Sequence, residues 1–361
     1  MKRVLITTDN LGGVWNYTLS LVRALAEYEF AVCVMGAALS VSQREEIATL
    51  ENARLFHCAC KLEWMDDPWQ EVDAAGEWLL KIAANFRPEI IHLNGYSHAA
   101  LQWNAPVIVV AHSCVLSWWR AVKHENAPAR FAEYKRRVVA GLDATDLVVA
   151  PSRAMLDSLS DNYDAHFTGR VIYNGSDRPL FAAAEKKPLV LGAGRIWDEA
   201  KNLCALDSVA PCVAWPVEIA GDLSAPGGKC AELRHARALG KLTAAQLASA
   251  MSTASIFAAP ALYEPFGLSI LEAALSGCAL VLGDIPSLRE LWNESALFVD
   301  PADPGELTRA LNQLIDNGEL RHEFSTRARQ RALTFSMRRT AGEYRDTYSR
   351  CAAAAKAKVA A

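Results

Sequence analysis

The segment SIFAAPALYEPFGLSILEAALSG, residues 255–277, contains a strand, a loop and a helix in close succession. Residues 255–258 form a short apolar run of strand length, and Leu268, Leu271 and Leu275 recur at helical spacing. Gly267 marks the start of the helix, and Gly277 fits its C-cap. The segment therefore predicts one strand–loop–helix unit of an α/β protein.

The same alternation of apolar strands and amphipathic stretches extends through the chain. Further strands are predicted at 4–7, 31–34, 90–92, 107–110, 147–149, 171–172, 189–191, 217–220, 279–282 and 297–298. Further helices are predicted after Gly13, near 201–209, at 243–252 and at 303–333. This pattern is typical of doubly wound parallel sheets. A turn cluster at 174–177 separates two such series, so we predict two Rossmann-like α/β domains, 1–174 and 175–335, that face a central cleft.

Composition and charge exclude several classes of function. The 361 residues carry 37 Lys plus Arg and 41 Asp plus Glu, a net charge of −4, which argues against a nucleic-acid-binding surface. No apolar run approaches the roughly 18 to 20 residues that cross a bilayer. Nine cysteines without recurrent spacing, and an N-terminus without a signal-peptide apolar region, predict a cytoplasmic location. The Ala- and Lys-rich end from Cys351 is expected to lie outside the globular part.

The loop before the helix at Gly267 has the features of an anion-binding site. Pro265 keeps Glu264 out of the helical conformation, and Gly267 allows close backbone approach to a ligand. The first N–H groups of the helix then point at an anion. Glu264 and Glu272 flank this position and suit sugar hydroxyls on either side of a diphosphate. The alternative is that Glu264 caps the helix and Glu272 is an exposed helix residue.

Residues 264–272 resemble the Glu-x7-Glu motif of glycosyltransferase family 4, position by position. The resemblance implies a GT-B fold and a retaining transferase that uses a nucleotide sugar. It implies that Glu264 contacts hydroxyls of the donor sugar and that Glu272 holds the ribose. The amides of Phe266, Gly267 and Leu268 would contact sugar and phosphate.

A second motif, GAGRIWDEAKN at residues 192–202, resembles the Gly-Arg…Lys loop of the same family. Its Arg195 and Lys201 would grip the diphosphate and stabilise the charge of the leaving group without a metal. The spacing is one residue longer than the common family pattern, and two solvated cations are the alternative.

Weaker matches complete the predicted site. Gly12 and Gly13 precede the first helix as in the family's glycine-rich loop, although such pairs also mark ordinary turns. His112 follows the strand at 107–110 and resembles the family histidine that reaches the donor sugar, with a purely structural histidine as the alternative. Lys241 and Leu242 fit the loop that meets the nucleobase through its backbone. The resemblance also implies that residues 336–361 form a helix that crosses back to the first domain.

The resemblance therefore implies a hexosyl transfer from a nucleotide sugar, UDP- or GDP-linked, to a saccharide or lipid-linked hydroxyl in polysaccharide or glycoconjugate biosynthesis. Transfer would proceed by front-face substitution, because no matched residue suits a carboxylate nucleophile. The catalytic residues would be Glu264, Arg195, Lys201 and His112, with no metal and no cofactor. A nucleotide-sugar epimerase, a phosphorylase and a non-catalytic scaffold are the competing hypotheses. Aromatic and basic residues at 118–137 leave peripheral contact with an anionic membrane open, against a solvated helix face.

Overall fold

Thirteen short strands and thirteen α-helices follow one another in the part of the chain that the computed structural model describes, residues 2–176, 185–225, 228 and 230–360. Residues 177–184, within the predicted irregular linker, lie outside the described residues. The chain divides into two compact units. The first comprises Met1–Trp119, Asn126–Asn174 and Met337–Ala361, and the second comprises Arg120–Glu125 and Gly175–Ser336.

The strands and helices have the following bounds in chain order. The strands are β1 (Lys2–Asp9), β2 (Tyr28–Gly36), β3 (Ala53–Ala59), β4 (Ile90–Leu93), β5 (Val107–Val110), β6 (Leu147–Ala150), β7 (Gly169–Val171), β8 (Lys187–Ala193), β9 (Val217–Ala220), β10 (Arg237–Gly240), β11 (Ala254–Ala259), β12 (Ala279–Gly283) and β13 (Leu297–Val299). The helices are α1 (Gly13–Ala24), α2 (Val41–Ala48), α3 (Trp69–Phe86), α4 (Val115–Lys123), α5 (Ala132–Ala144), α6 (Arg153–Asn162), α7 (Leu203–Val209), α8 (Ala244–Thr253), α9 (Leu268–Leu275), α10 (Pro286–Trp292), α11 (Pro304–Asp316), α12 (Gly318–Ala332) and α13 (Met337–Ala360).

The sheet of the first unit is parallel, with the described strands in the order β3-β2-β1-β4-β5-β6-β7. Leu5 of β1 pairs with Ala31 of β2 on one side and with Ile91 of β4 on the other. The chain therefore adds β2 and β3 on one side of β1 and then returns to add β4 to β7 on the other side. The loops after β1 and β4 adjoin this reversal, which is where doubly wound sheets bind ligands.

The sheet of the second unit repeats the same design. Its described strands are parallel in the order β10-β9-β8-β11-β12-β13, so the reversal lies between β8 and β11. The central strands are fully buried because helices cover both faces, which accounts for their continuous apolar runs. Val190, Ile219, Ile256 and Val281 from four adjacent strands form one core with the helices that pack on them.

Several elements differ from the sequence-based prediction. The strands β3 and β10 were not predicted, because their side chains are mostly exposed or half-buried and they lack a continuous apolar run. The seven-residue α10 was also missed. The predicted helix at 303–333 is two helices, since Asn317 ends α11 and its side chain caps α12 by accepting from the Leu320 N–H at 3.0 Å. The Ala- and Lys-rich end from Cys351 is helical, because α13 continues to Ala360 and alanine is the strongest helix former.

Candidate active site

The predicted catalytic residues of the second unit lie on two loops that follow β8 and β11. Ile256 of β11 pairs in parallel with Val190 of β8, so both loops leave the sheet at the same edge and at the reversal of strand order. The loop after β8 carries Arg195 and Lys201, and the loop after β11 carries Glu264. The fold therefore brings the two strongest sequence motifs to one place.

Arg195 is held by an acidic side chain of its own loop. Its Nη2 donates to Oδ2 of Asp198 at 2.6 Å, and the guanidinium lies 5.3 Å from the ring centroid of Trp197. Asp198 is only 6% exposed, and its Oδ1 also accepts from the Ala200 N–H at 3.1 Å. The Arg195 side chain is 43% exposed, whereas its Nε is buried and has no hydrogen-bond partner among the described residues. Asp198 thus holds one end of the guanidinium in place while the Arg195 side chain as a whole stays partly exposed.

Lys201 and Glu264 join the two loops directly. Lys201 Nζ donates to Glu264 Oε2 at 2.6 Å, and the two side chains are only 21% and 15% exposed. This partial burial strengthens the attraction relative to a surface pair, since less water screens it. The contact places a cation and a carboxylate side by side at the sheet edge.

Main-chain contacts reinforce the junction between the loops. The carbonyl oxygen of Ala200 accepts from the Leu262 N–H at 2.9 Å. Asn202 has φ +52°, and its amide donates to the carbonyl oxygens of Pro260 at 2.9 Å and Pro301 at 2.8 Å. The relative position of Lys201 and Glu264 is therefore set by the backbone as well as by their own ion pair.

The start of α9 depends on Gly267. Its φ of +85° is a conformation that residues with a Cβ rarely adopt, and a Cβ built there would lie 2.7 Å from Ile270 Cδ1. The first N–H groups of α9 have no partner within the helix. Ser287 of α10 donates from Oγ to the Glu264 carbonyl oxygen at 2.5 Å and so connects the loop to α10.

The other predicted residues of this motif occupy different environments. Phe266 is buried and packs edge-to-face on Phe335 at 5.7 Å between ring centroids. Leu268 is the first residue of α9 and is half-buried. Glu272 lies one turn further along α9 and is also half-buried.

Lys241 and Leu242 lie in the loop between β10 and α8, at the same edge of the sheet as the β8 loop. Lys241 is exposed and Leu242 is half-buried. Thr243 then caps α8 by accepting from the Gln246 N–H at 3.3 Å. The structure gives this loop no direct contact with Lys201 or Glu264 among the described residues.

Gly12 and Gly13 lie in the first unit, directly after β1 and at the reversal of its sheet. Both are exposed, and Gly12 has φ +77° as the N-cap of α1. The N-terminus of α1 therefore carries no side-chain cap.

His112 follows β5 in the first unit and is half-buried. Its Nε2 lies 2.9 Å from Asn94 Oδ1, and the ring packs edge-to-face on Tyr17 with 4.6 Å between centroids. Burial lowers the pKa of His112 to about 3, so the imidazole is neutral at physiological pH. A neutral ring at this position forms hydrogen bonds but carries no charge.

Sequence reasoning missed the residues that support the predicted ones. Asp198, Asn202 and Ser287 fix the loops of the second unit, and Asn94 contacts His112 in the first. Asn94 had a recognisable signal, because a polar residue directly follows the apolar strand β4.

Among the described residues, no group of three or more His, Cys, Asp or Glu side chains is placed to hold a metal ion. None of the helices in the described part has the length and apolar composition that a bilayer crossing requires.

Comparison with known proteins places these features in a family. The model for Glycosyltransferase Family 4 matches residues 11–178, and the model for Glycosyl transferases group 1 matches residues 229–331. A D-inositol 3-phosphate glycosyltransferase of Nocardioides is 24% identical over 96% of this chain and 87% of its own. Sucrose-phosphate synthase from Thermosynechococcus elongatus superimposes with a TM-score of 0.79 at 18% identity, covering 98% of this chain and 100% of that one. Anabaena HepE, solved with UDP and glucose, gives 0.76 at 15% identity over 97% and 100%.

Two parallel-sheet α/β units with these matches define a glycosyltransferase of the GT-B fold. The chain belongs to glycosyltransferase family 4, as the Glu264 to Glu272 motif predicts.

Proposed function

We propose that this protein is a retaining hexosyltransferase that moves a sugar from a nucleoside diphosphate to a hydroxyl of a saccharide or lipid-linked acceptor in glycoconjugate biosynthesis. The observation that supports this most is the 2.6 Å contact between Lys201 and Glu264 at the reversal of the second sheet. A phosphate ligand needs the cation, and a sugar ligand needs the carboxylate as a hydrogen-bond acceptor. The pair offers both at the point where α/β sheets bind nucleotides.

The charge requirement of the reaction matches the loop after β8. Departure of a nucleoside diphosphate concentrates negative charge on the β-phosphate. Arg195 and Lys201 would stabilise that charge, with the N–H groups at the start of α9 as further donors. This arrangement gives the leaving group fixed cations and dipoles without recourse to a metal.

The transfer step follows from these roles. The bond between the anomeric carbon and the phosphate oxygen breaks, and the acceptor oxygen bonds to the same face of that carbon. The acceptor proton passes to the departing phosphate oxygen. Glu264 would orient the sugar through its hydroxyls and would not attack the anomeric carbon, so no covalent intermediate forms.

The remaining residues take supporting roles in this proposal. Glu272 would hold the ribose, and the backbone at Lys241 and Leu242 would meet the base. Amides of Phe266, Gly267 and Leu268 would contact sugar and phosphate. The second unit would thus bind the donor, and the first would carry the acceptor side.

The first unit would contribute two contacts to the donor in this proposal. Gly12 and Gly13 would bring their exposed amides near the diphosphate or the acceptor, and the neutral His112 would hydrogen-bond the sugar. HepE was solved with UDP and with UDP-glucose, which favours UDP as the first nucleotide to test.

Thermal unfolding in EDTA with UDP, GDP or ADP tests the donor site. One nucleotide is expected to stabilise the protein by about 2.7 kcal/mol when present at about 100 times its Kd. Arg195→Ala and Glu272→Ala should abolish most of this shift. Arg237→Ala is a matched control, because Arg237 is an exposed arginine of the same unit that pairs with Glu218.

Product analysis tests the chemistry. With the stabilising nucleotide carrying a sugar, NMR of the first product formed should show the anomeric configuration of the donor. An inverted product would refute retention. A donor isomerised at another carbon would favour the epimerase, and a lack of any nucleotide-dependent shift would favour the scaffold.

A further inference from the structure

Asn94 lies at the reversal of the first sheet, in the loop after β4, and its amide orientation is determined by its neighbours. Nδ2 lies 2.7 Å from the Thr7 carbonyl oxygen, which can only accept a hydrogen bond. A second Nδ2 contact runs to Thr18 Oγ1 at 3.2 Å, and the Asn94 N–H donates to Thr7 Oγ1 at 2.9 Å. Thr7 and Thr18 are both buried. The nitrogen of the amide must therefore face the threonines, which leaves Oδ1 facing the opposite way.

Oδ1 of Asn94 meets two histidine rings. His112 Nε2 lies at 2.9 Å and His92 Nε2 at 3.3 Å. An amide oxygen has two lone pairs and no proton, so a ring nitrogen that hydrogen-bonds to it must carry the hydrogen. Asn94 therefore fixes the His112 ring as the tautomer protonated at Nε2 and favours the same tautomer for His92, whose Nε2 also lies 3.5 Å from the Tyr17 hydroxyl.

The other nitrogen of His92 supports this assignment. His92 Nδ1 lies 2.7 Å from the hydroxyl of Tyr348 in α13, and with Nε2 protonated it accepts from that hydroxyl. His92 and Tyr348 are fully buried. Burial lowers the pKa of His92 and of His112 to about 3, so neither ring gains a second proton near neutral pH.

His112 differs from His92 in one respect. Its Nδ1 has no hydrogen-bond partner among the described residues, and its ring is half-buried whereas that of His92 is fully buried. With Nε2 protonated, Nδ1 carries a lone pair and can only accept.

We propose that Asn94 is a positioning residue that holds His112 in the Nε2–H tautomer, so that Nδ1 accepts a hydrogen bond from one hydroxyl of the donor sugar. This inference rests on the proposed function, in which His112 meets the sugar. The sugar hydroxyl is then the hydrogen-bond donor to Nδ1. A sugar that carries a group without a proton at that position should therefore be a poorer substrate.

The tautomer is measurable on the free protein. Nitrogen-15 NMR distinguishes protonated from unprotonated ring nitrogens, and the spectrum of a His112→Gln variant identifies the His112 signals among the eight histidines. We expect Nε2 of His112 to be protonated and Nδ1 unprotonated at neutral pH. The reverse assignment, or a doubly protonated ring, overturns the role of Asn94.

The direction of the sugar hydrogen bond is measurable by turnover. In the donor analogues, fluorine replaces one sugar hydroxyl at a time and so removes the proton that this hydroxyl would donate. The hydroxyl beside the anomeric carbon is left intact, because replacing it slows transfer electronically. One analogue is expected to lose about tenfold to a hundredfold in kcat/KM, since it leaves Nδ1 unpaired. Equal kcat/KM for all analogues overturns the proposed hydrogen bond.

Asn94→Asp connects the two measurements. A carboxylate beside His112 favours the imidazolium, so Nδ1 gains a proton and the penalty for the fluorinated analogue should shrink at least about tenfold. Asn52→Asp is the matched control, because Asn52 is half-buried in the same unit and donates to the Val22, Leu25 and Tyr28 carbonyl oxygens without touching a histidine. An unchanged penalty in Asn94→Asp overturns the proposal. If the wild type turns over no nucleotide sugar, the proposed function fails, while the NMR result still decides what Asn94 does.

Discussion

Acidification should weaken the first unit because two of its histidines, the buried His92 and the half-buried His112, stay neutral in the folded protein. His92 and His112 have pKa values of about 3 in the folded protein, against 6.5 for an ordinary histidine. Below about pH 6.5 the unfolded chain takes up protons that the folded chain refuses, so the stabilisation present at neutral pH is lost progressively down to about pH 3. The slope is about 1.4 kcal/mol per pH unit for each ring. From about pH 7 to about pH 5 the two rings together should cost about 4 kcal/mol.

Carboxylates contribute little over the same interval. The strongest case in this unit is Glu133, whose pKa is lowered to about 2 by Arg136 and Arg137 from an ordinary value of 4.5. Its contribution is lost only as the pH falls below about 4.5. The predicted change between about pH 7 and pH 5 is therefore specific to the histidines.

Hydrogen exchange of the β4 amides at both pH values, corrected for intrinsic exchange, measures the free energy of opening next to His92. His92→Leu should halve the pH-dependent loss to about 2 kcal/mol. Asn52→Ala serves as the control, because it destabilises the same unit without removing a histidine and should keep the full loss. A wild-type loss below about 1 kcal/mol, or an identical loss in His92→Leu, would refute the assignment of buried neutral rings.

Three further perturbations address the second unit. Gly267→Ala would place a Cβ 2.7 Å from Ile270 Cδ1 at φ +85°, so calorimetry should show about tenfold weaker binding of the stabilising nucleotide; unchanged affinity would contradict the role of this turn. Lys201→Met should lower kcat/KM by about a hundredfold, whereas Arg289→Met, which removes an exposed arginine paired with Asp284, should leave turnover unchanged. Lys186→Met removes three hydrogen bonds from Nζ to main-chain carbonyl oxygens and should lower the free energy of unfolding by about 2 to 3 kcal/mol in urea titrations; a loss below about 0.5 kcal/mol would contradict a stabilising role for these hydrogen bonds.

The elements that could be predicted from the sequence are those with a local sequence pattern. Buried parallel strands such as β5 and β12 are continuous apolar runs, so hydrophobicity alone identifies them. The strands β3 and β10 lie at sheet edges, where half of the contacts that shape a strand are missing. These two strands therefore leave a weak sequence pattern, whereas β7 and β13, at the other two sheet edges, were predicted from their apolar residues.

The same distinction applies to the candidate site: single residues were predictable, whereas their contacts were not. Arg195, Lys201 and Glu264 were predicted individually from motifs, yet the 2.6 Å contact of Lys201 with Glu264 joins residues 63 positions apart. Asn94 shows the same limit, because its partners Thr7 and His112 come from strands on either side of β4. Such pairings depend on strand order, which no local pattern encodes.

The last helix has a consequence for synthesis of the chain. Tyr344 and Tyr348 of α13 are fully buried in the first unit, and Tyr348 supplies the hydrogen bond to His92 Nδ1. On the ribosome, residues 175–336 emerge before this helix does. The first unit thus cannot finish folding until α13 has emerged, and until then the ring of His92 lacks its tyrosine. A stalled or prematurely terminated chain would carry a complete second unit beside an incomplete first one, a state that chaperones and proteases can recognise.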